Sequence, residues 1–212
     1  MTSPVFDPTF RATLESLFAW RRDVRRFKQD PVPPEMLDRL LALADLAPSV
    51  GNAQPWRFVS VEADESRAAI RANFERCNAE ALADYQGSQA ALYARLKLEG
   101  LDRAPVQLAV FSEEASSQGA GLGRANMPET LAYSVVGAIH TLWLAARAEG
   151  IGLGWLSILD PDALTESLRT PTTWRFVAYL CIGWPEEEHL DPELARHGWQ
   201  TRSDPRQRFL RR

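Results

Sequence analysis

The chain has 212 residues, 45% of them apolar and 25% charged, with a net charge of −4. That length suits one domain with a sizeable core, and the acidic balance argues against nucleic acid as the main partner. Two distant cysteines, Cys77 and Cys181, make neither a disulfide framework nor a metal-ligand spacing. Cys181 stands in an apolar run and reads as a small core residue. With no leader-like start and no apolar stretch of bilayer length, the sequence predicts a cytoplasmic domain over 1–212, without membrane partner or metal.

Asp7-Pro8 is an N-cap followed by a proline at the first helical position, and Phe10, Leu14, Leu17 and Phe18 repeat at helical spacing. The predicted helix delivers Arg21-Arg22-Asp23-Val24-Arg25 at its C-terminal end, with Arg26 next. Guanidinium groups this dense suit paired, charge-assisted hydrogen bonds to a phosphate. The plain alternative is a solvated basic helix end that complements the helix dipole.

After the stiff turn of Pro31, Pro33 and Pro34, a second helix is predicted with Met36, Leu37, Leu40, Leu41 and Ala44 as its buried stripe. It stops in the loop from Pro48 to Trp56, where Gly51 permits close backbone approach to a ligand and Ser49, Asn52 and Gln54 offer short polar groups. The alternative there is a simple helix-to-strand connection. Trp56 to Val61 reads as a strand, Asp64 to Tyr85 as a helix, and Gln89 to Glu99 as a second helical stretch after Gly87-Ser88. These middle helices are weakly amphipathic and read either as a cover over a site or as a peripheral pair.

Pro105 to Phe111 is predicted to be a buried strand, and the glycine-rich Ser116 to Gly123 a flexible surface loop without dinucleotide spacing. Pro128 to Glu149 is apolar nearly all round, which demands burial in the core or at a subunit interface. His140 on that helix reads as a hydrogen-bonded core histidine. Ile151 to Leu159 reads as a strand whose Gly152 and Gly154 mark close approach by another group. Asp160-Pro161 caps a short helix, Phe176 to Gly183 is a further strand, and the polar chain from about 184 reads as a poorly anchored tail that frays or embraces a partner subunit. The order of elements gives an α+β fold with helices around one sheet.

Arg21–Arg25, the Pro48–Trp56 loop and Gly150-Ile151-Gly152-Leu153-Gly154-Trp155, in this order, together resemble the FMN-dependent nitroreductase family. The resemblance implies a central, mostly antiparallel sheet flanked by helices, in a homodimer whose two subunits share the active site. Asp23 departs from the serine common at the centre of the first motif. That residue and three longer strings (Ser49–Phe58, Trp155–Pro161 and Gly183–Leu190) are similar to the branch of the family that consumes FMN instead of recycling it. In that branch reduced FMN and O2 yield 5,6-dimethylbenzimidazole, the lower ligand of cobalamin, and erythrose 4-phosphate. A separate NAD(P)H flavin reductase is then the expected source of reduced FMN.

On this resemblance Arg21, Arg22 and Arg25 would hold phosphate and ribityl groups, with Val24, Ser49 and Asn52 as neighbours. Asp23 would transfer protons. Gly154, Trp155, Leu156 and Ser157 would lie along the flavin ring, with Ser157 donating a hydrogen bond where oxygen adds. Local backbone bonding is the ordinary alternative for Ser157. Two other readings stay open: an FMN-recycling nitroreductase or cob(II)yrinic acid a,c-diamide reductase using NAD(P)H, and a non-catalytic flavin-binding module.

Overall fold

A computed structural model describes residues 3–93 and 99–212. In chain order its elements are α1 (Pro8–Trp20), α2 (Pro34–Ala44), β1 (Trp56–Ser60), α3 (Asp64–Ala83), α4 (Gly87–Tyr93), α5 (Gly100–Arg103), β2 (Val106–Glu113), α6 (Thr130–Ala148), β3 (Gly152–Leu156), α7 (Pro161–Ser167), β4 (Trp174–Gly183) and α8 (Glu193–Arg196). Residues 94–98 of the predicted helical stretch from Gln89 to Glu99 lie outside the described residues. Among those described, no helix is long and apolar enough to cross a membrane.

The four strands form one antiparallel sheet in the order β1-β2-β4-β3. Alternation along its two central strands decides what covers each face. Leu108, Val110, Leu180 and Ile182 point to one side, where Val135, Ala138, Ile139 and Leu142 of α6 and Leu40 and Ala44 of α2 meet them. Ala109, Phe111, Tyr179 and Cys181 point to the other, packing with Ile70 of α3, Leu101 of α5, Leu164 of α7 and Phe27. Burial on both sides explains why β2 and β4 read as continuous apolar runs rather than alternating ones. Cys181 is a core thiol as expected, and its burial pushes its pKa up to about 12.

Several caps act as the sequence predicts. Asp7 accepts the Phe10 amide at 2.7 Å, starting α1. Asp160 accepts the amides of Asp162 and Ala163 at 3.0 and 3.2 Å, starting α7. Asn73 clamps that cap to α3, donating to the Asp160 carbonyl and accepting the Asp160 amide, each at 2.9 Å.

Four expectations are corrected. The strand predicted over Ile151 to Leu159 stops at Leu156, because the backbone must turn to place Asp160 as a cap. His140 is exposed and not a core histidine. It shares the outer side of α6 with Tyr133 and Val136, which are 60% and 42% exposed, so that helix is apolar beyond the face its own sheet covers. The Ser116–Gly123 segment packs on the Pro48–Trp56 loop: Gln118 Nε2 donates to the Asn52 carbonyl at 2.9 Å and to Gln54 Oε1 at 2.7 Å. Gly51, at φ 54°, and Gly119, at φ 80°, lie back to back, each without room for a Cβ against the other's loop. The close approach that Gly51 permits is thus to this chain's own backbone.

The fourth correction concerns the C-terminal segment, whose first part is well anchored on its own chain. Glu186 pairs with Arg103, Glu187 with Arg26 and Glu188 with Arg147. The Glu186 amide donates to the Arg26 carbonyl at 3.1 Å, and Trp199 packs edge-on against Tyr85. Charge complementarity holds a stretch that apolar content alone leaves unexplained.

Candidate functional site

Arg21 is the C-cap of α1, its amide donating to the Leu17 carbonyl, and the other arginines lie beyond the helix end. α1 stops at Trp20, Arg21 is already extended at ψ 114°, and residues 21–28 run as an irregular strand along β3 and the start of the C-terminal segment. The Val24 amide donates to the Leu153 carbonyl at 3.1 Å, and the Lys28 amide to the Trp184 carbonyl at 2.8 Å. Gly154 and Gly152 make this possible. A Cβ at Gly154 would overlap the Val24 carbonyl oxygen, and one at Gly152 would come within 2.8 Å of the Val24 side chain. The predicted close approach at these glycines is real, and the group that approaches is the arginine segment.

Each side chain of the segment has a distinct setting. Arg21 lies over the Trp143 ring, 4.6 Å from its centroid, a cation–π contact. Arg22 donates through Nε to the Leu190 carbonyl at 2.7 Å, while Trp143 Nε1 donates to the Arg22 carbonyl at 3.2 Å. Asp23 accepts the Trp155 amide on Oδ1 at 2.9 Å and faces Arg25 Nε from Oδ2 at 3.5 Å. Arg25 Nε is buried and donates to no acceptor among the described residues. Arg26, by contrast, is held by Glu187.

Burial pushes the Asp23 pKa up, by more than the Trp155 amide and the Arg25 charge pull it down. The side chain retains 37% exposure, but that surface faces a concave wall of protein, where water solvates a charge less well than in bulk. Burial and the nearby Arg202 both lower the pKa values of Arg21 and Arg22, burial foremost. Glu187 shifts the other way, held down to about 2 by hydrogen bonds from His189 and Arg26.

Three cavities meet at this segment. One of about 20 Å³ lies against Asp23, Gly154, Trp155, Leu156, Leu101 and Cys181. Another of about 40 Å³ runs beside Asp23, Val24 and Trp143. The third, about 200 Å³, is walled by Arg21, Arg22, Asp23, Arg25, Glu193 and Arg202. Four guanidiniums facing one cavity make an anion site, and the buried Arg25 Nε supplies a donor that lacks its acceptor.

Residues 18–184 match the sequence profile of the nitroreductase family. The chain belongs to that family. It is 62% identical to a 5,6-dimethylbenzimidazole synthase of Rhodospirillum rubrum over 95% of both chains. A Rhodobacter capsulatus protein of the same name is 53% identical over 92% of this chain and 94% of its own. Among solved structures, oxidised iodotyrosine deiodinase bound to FMN and 3-iodo-L-tyrosine superposes with a TM-score of 0.70 at 30% identity, covering 83% of this chain and 91% of that one.

In this member of the nitroreductase family the structure brings Arg21, Arg22, Asp23, Val24, Arg25, Gly154, Trp155 and Leu156 together around the cavities. Ser49 and Asn52 line none of the three. Ser49 Oγ instead accepts the Gln54 amide at 3.0 Å within its loop. Ser157 lies one residue past β3 and is exposed. Glu193 and Arg202 are among the residues of this site that escaped the sequence reading. A signal for their segment was present: the acidic run Glu186–Glu188 complements the basic run Arg21–Arg26.

Proposed function

We propose that the chain converts reduced FMN and O2 into 5,6-dimethylbenzimidazole, erythrose 4-phosphate and an oxidised four-carbon remnant of the flavin's pyrimidine ring, with FMN as substrate and a separate NAD(P)H flavin reductase supplying it. The observation that carries this reading is a carboxylate at Asp23, fixed by the Trp155 amide beside Arg25, in a chain 62% identical over 95% of its length to a 5,6-dimethylbenzimidazole synthase. Reduced flavin supplies the electrons that activate O2; the remaining work falls to the protein's own groups.

Arg22 and Arg25 hold the phosphate, and the orphaned Arg25 Nε fits that role because a phosphate oxygen completes it. Arg21 and Arg202 add charge on the same cavity wall. The Trp155 amide anchors one oxygen of Asp23 and leaves the other to take or return a proton at the ribityl chain or ring. A raised pKa brings this carboxyl closer to neutral pH, where a general acid–base group works best. Ser157, exposed beside the end of β3, orients the ring, and Gly154, Trp155 and Leu156 wall it from water.

The largest of the three cavities, about 200 Å³, takes a phosphate and part of a ribityl chain but is smaller than the usual site for a three-ring ligand. The rest of the site therefore comes from a second subunit, whose Ser49 and Asn52 loop completes it.

Mixing the purified protein with reduced FMN in air, and following product mass, tests the reading. The expected product is 5,6-dimethylbenzimidazole, and riboflavin, lacking the phosphate, is a poor substrate. Reoxidation to FMN alone, with NAD(P)H-driven turnover of nitroaromatics, would overturn it in favour of an FMN-recycling oxidoreductase.

A further inference from the structure

The C-terminal segment from Trp184 to Trp199 does more than lie near the arginines; it engages both of those assigned to phosphate. The Leu190 carbonyl takes the Nε hydrogen of Arg22 at 2.7 Å. Glu193 Oε2 lies 4.0 Å from Arg25 Nε, and Oε1 lies 3.8 Å from Arg26 Nη1. The same carboxylate is 4.0 Å from Arg196 and 3.5 Å from His197, with its side chain 10% exposed. Glu193 is therefore a nearly buried carboxylate ringed by cationic side chains and His197, yet its three arginine distances exceed a hydrogen bond. Arg25 Nε, the most buried donor in the ring, stays unsatisfied beside it.

A carboxylate in this position balances charge without completing the donors. A phosphate monoester brings close to two negative charges and three acceptor oxygens, so it can do both. Glu193 also forms part of the wall of the 200 Å³ cavity that faces Arg21, Arg22, Arg25 and Arg202. Two anions cannot share that ring without strong repulsion.

We propose that Glu193 is the counter-carboxylate of the phosphate site, and that the phosphate of FMN must displace it, so that phosphate binding and release of residues 190–199, the part of the segment beyond its anchored start, are one event. This rests on the assignment of Arg22 and Arg25 to the FMN phosphate. Glu193 is then a specificity-determining residue. A flavin without phosphate leaves it in place and keeps the segment closed.

The experiment measures binding of oxidised FMN and of riboflavin by flavin fluorescence, using the full chain and its Glu193→Gln and Glu193→Asp variants. Trypsin cleavage after Arg196 reports release of the segment in each state. Removing the competing charge in Glu193→Gln is expected to tighten FMN binding about tenfold, a like-charge penalty of ordinary size. Riboflavin affinity should change less than twofold. Apo Glu193→Gln should be cut as fast as FMN-saturated parent, and Glu193→Asp should stay close to the parent in both measurements. Unchanged or weaker FMN binding in Glu193→Gln overturns the proposal, because Glu193 would then only orient Arg25. Equal effects of Asp and Gln overturn it as well, since length and not charge would be responsible. Parent protein that binds FMN no better than riboflavin instead refutes the phosphate assignment, before any variant is compared.

Discussion

Under the proposed function, Asp23 is where one residue changes what a shared scaffold does. Its Oδ1 is committed to the Trp155 amide and its Oδ2 faces Arg25, so the side chain has one orientation and one oxygen left for chemistry. Asp23→Asn keeps the shape and can turn its amide oxygen to the Trp155 amide. Flavin binding is expected to survive, whereas 5,6-dimethylbenzimidazole formation should fall about 10²–10⁴-fold, the usual contribution of a general acid–base group. Product mass together with flavin absorbance checks this, and parent-rate product formation by Asp23→Asn would remove Asp23 from the mechanism. The same variant has a stability signature. Burial raises the Asp23 pKa in the folded chain above its unfolded value near 3.8, so the native state binds more protons between those two values. Ionised Asp23 therefore destabilises the fold at neutral pH, and this cost disappears as pH falls through the raised pKa. Asp23→Asn should melt higher than the parent at pH 7, with the difference shrinking toward acid. A constant difference across pH would place the effect in packing instead of charge.

At the scale of elements, the site depends on how closely the 21–28 segment lies on β3. That closeness needs Gly154, whose missing Cβ leaves room for the Val24 carbonyl. Gly154→Ala must push the segment off the sheet, disturbing the Val24–Leu153 hydrogen bond and with it the Asp23–Trp155 contact. Overpacking of this kind costs about 1–3 kcal/mol, and the rigid backbone partner favours the upper end. Chemical denaturation should show that loss, accompanied by weaker FMN binding. Full stability with normal binding in Gly154→Ala would mean the segment is free to move. The Pro48–Trp56 loop depends on similar logic, since Gly51 and Gly119 let two loops touch by backbone while Ser134 Oγ accepts the Val50 amide at 3.1 Å. The loop is thereby pinned to α6, ready-formed but away from this chain's arginines.

At the scale of the whole molecule, too much apolar surface remains outside. Phe10, Phe18 and Trp20 of α1 are 46%, 48% and 41% exposed, and Tyr133 and Val136 of α6 add to them. No residue of α1 is buried. A patch of this kind marks an interaction surface. The homodimer proposed above is the arrangement that would cover it, bring a second Ser49 and Asn52 loop to the arginines and enlarge the cavity to the size of a flavin. Sedimentation of dilute protein is expected to show a dimer, and Phe18→Glu with Val136→Glu should yield monomers that lose flavin binding. A folded monomer binding FMN with parent affinity would sink the shared-site arrangement.

The sequence by itself determined most of the elements and where the arginine cluster stands in the chain. Helix starts at Asp7 and Asp160, the stripe of α2, both central strands and the arginine cluster are local signals, set by capping, periodicity and composition within a few residues. Tertiary structure decided everything that depended on a neighbour distant in sequence. It ended β3 at Leu156, exposed His140, tied Gly51 to Gly119 and laid the 184–199 segment across the arginines. The physical reason is the range of the forces read. Hydrogen-bonded caps and hydrophobic period act over one or two turns and leave a pattern in the sequence. Charge pairing between Glu193 and Arg25, or the bare Cα of Gly154 under Val24, acts between residues more than 120 positions apart and becomes legible once the chain has folded.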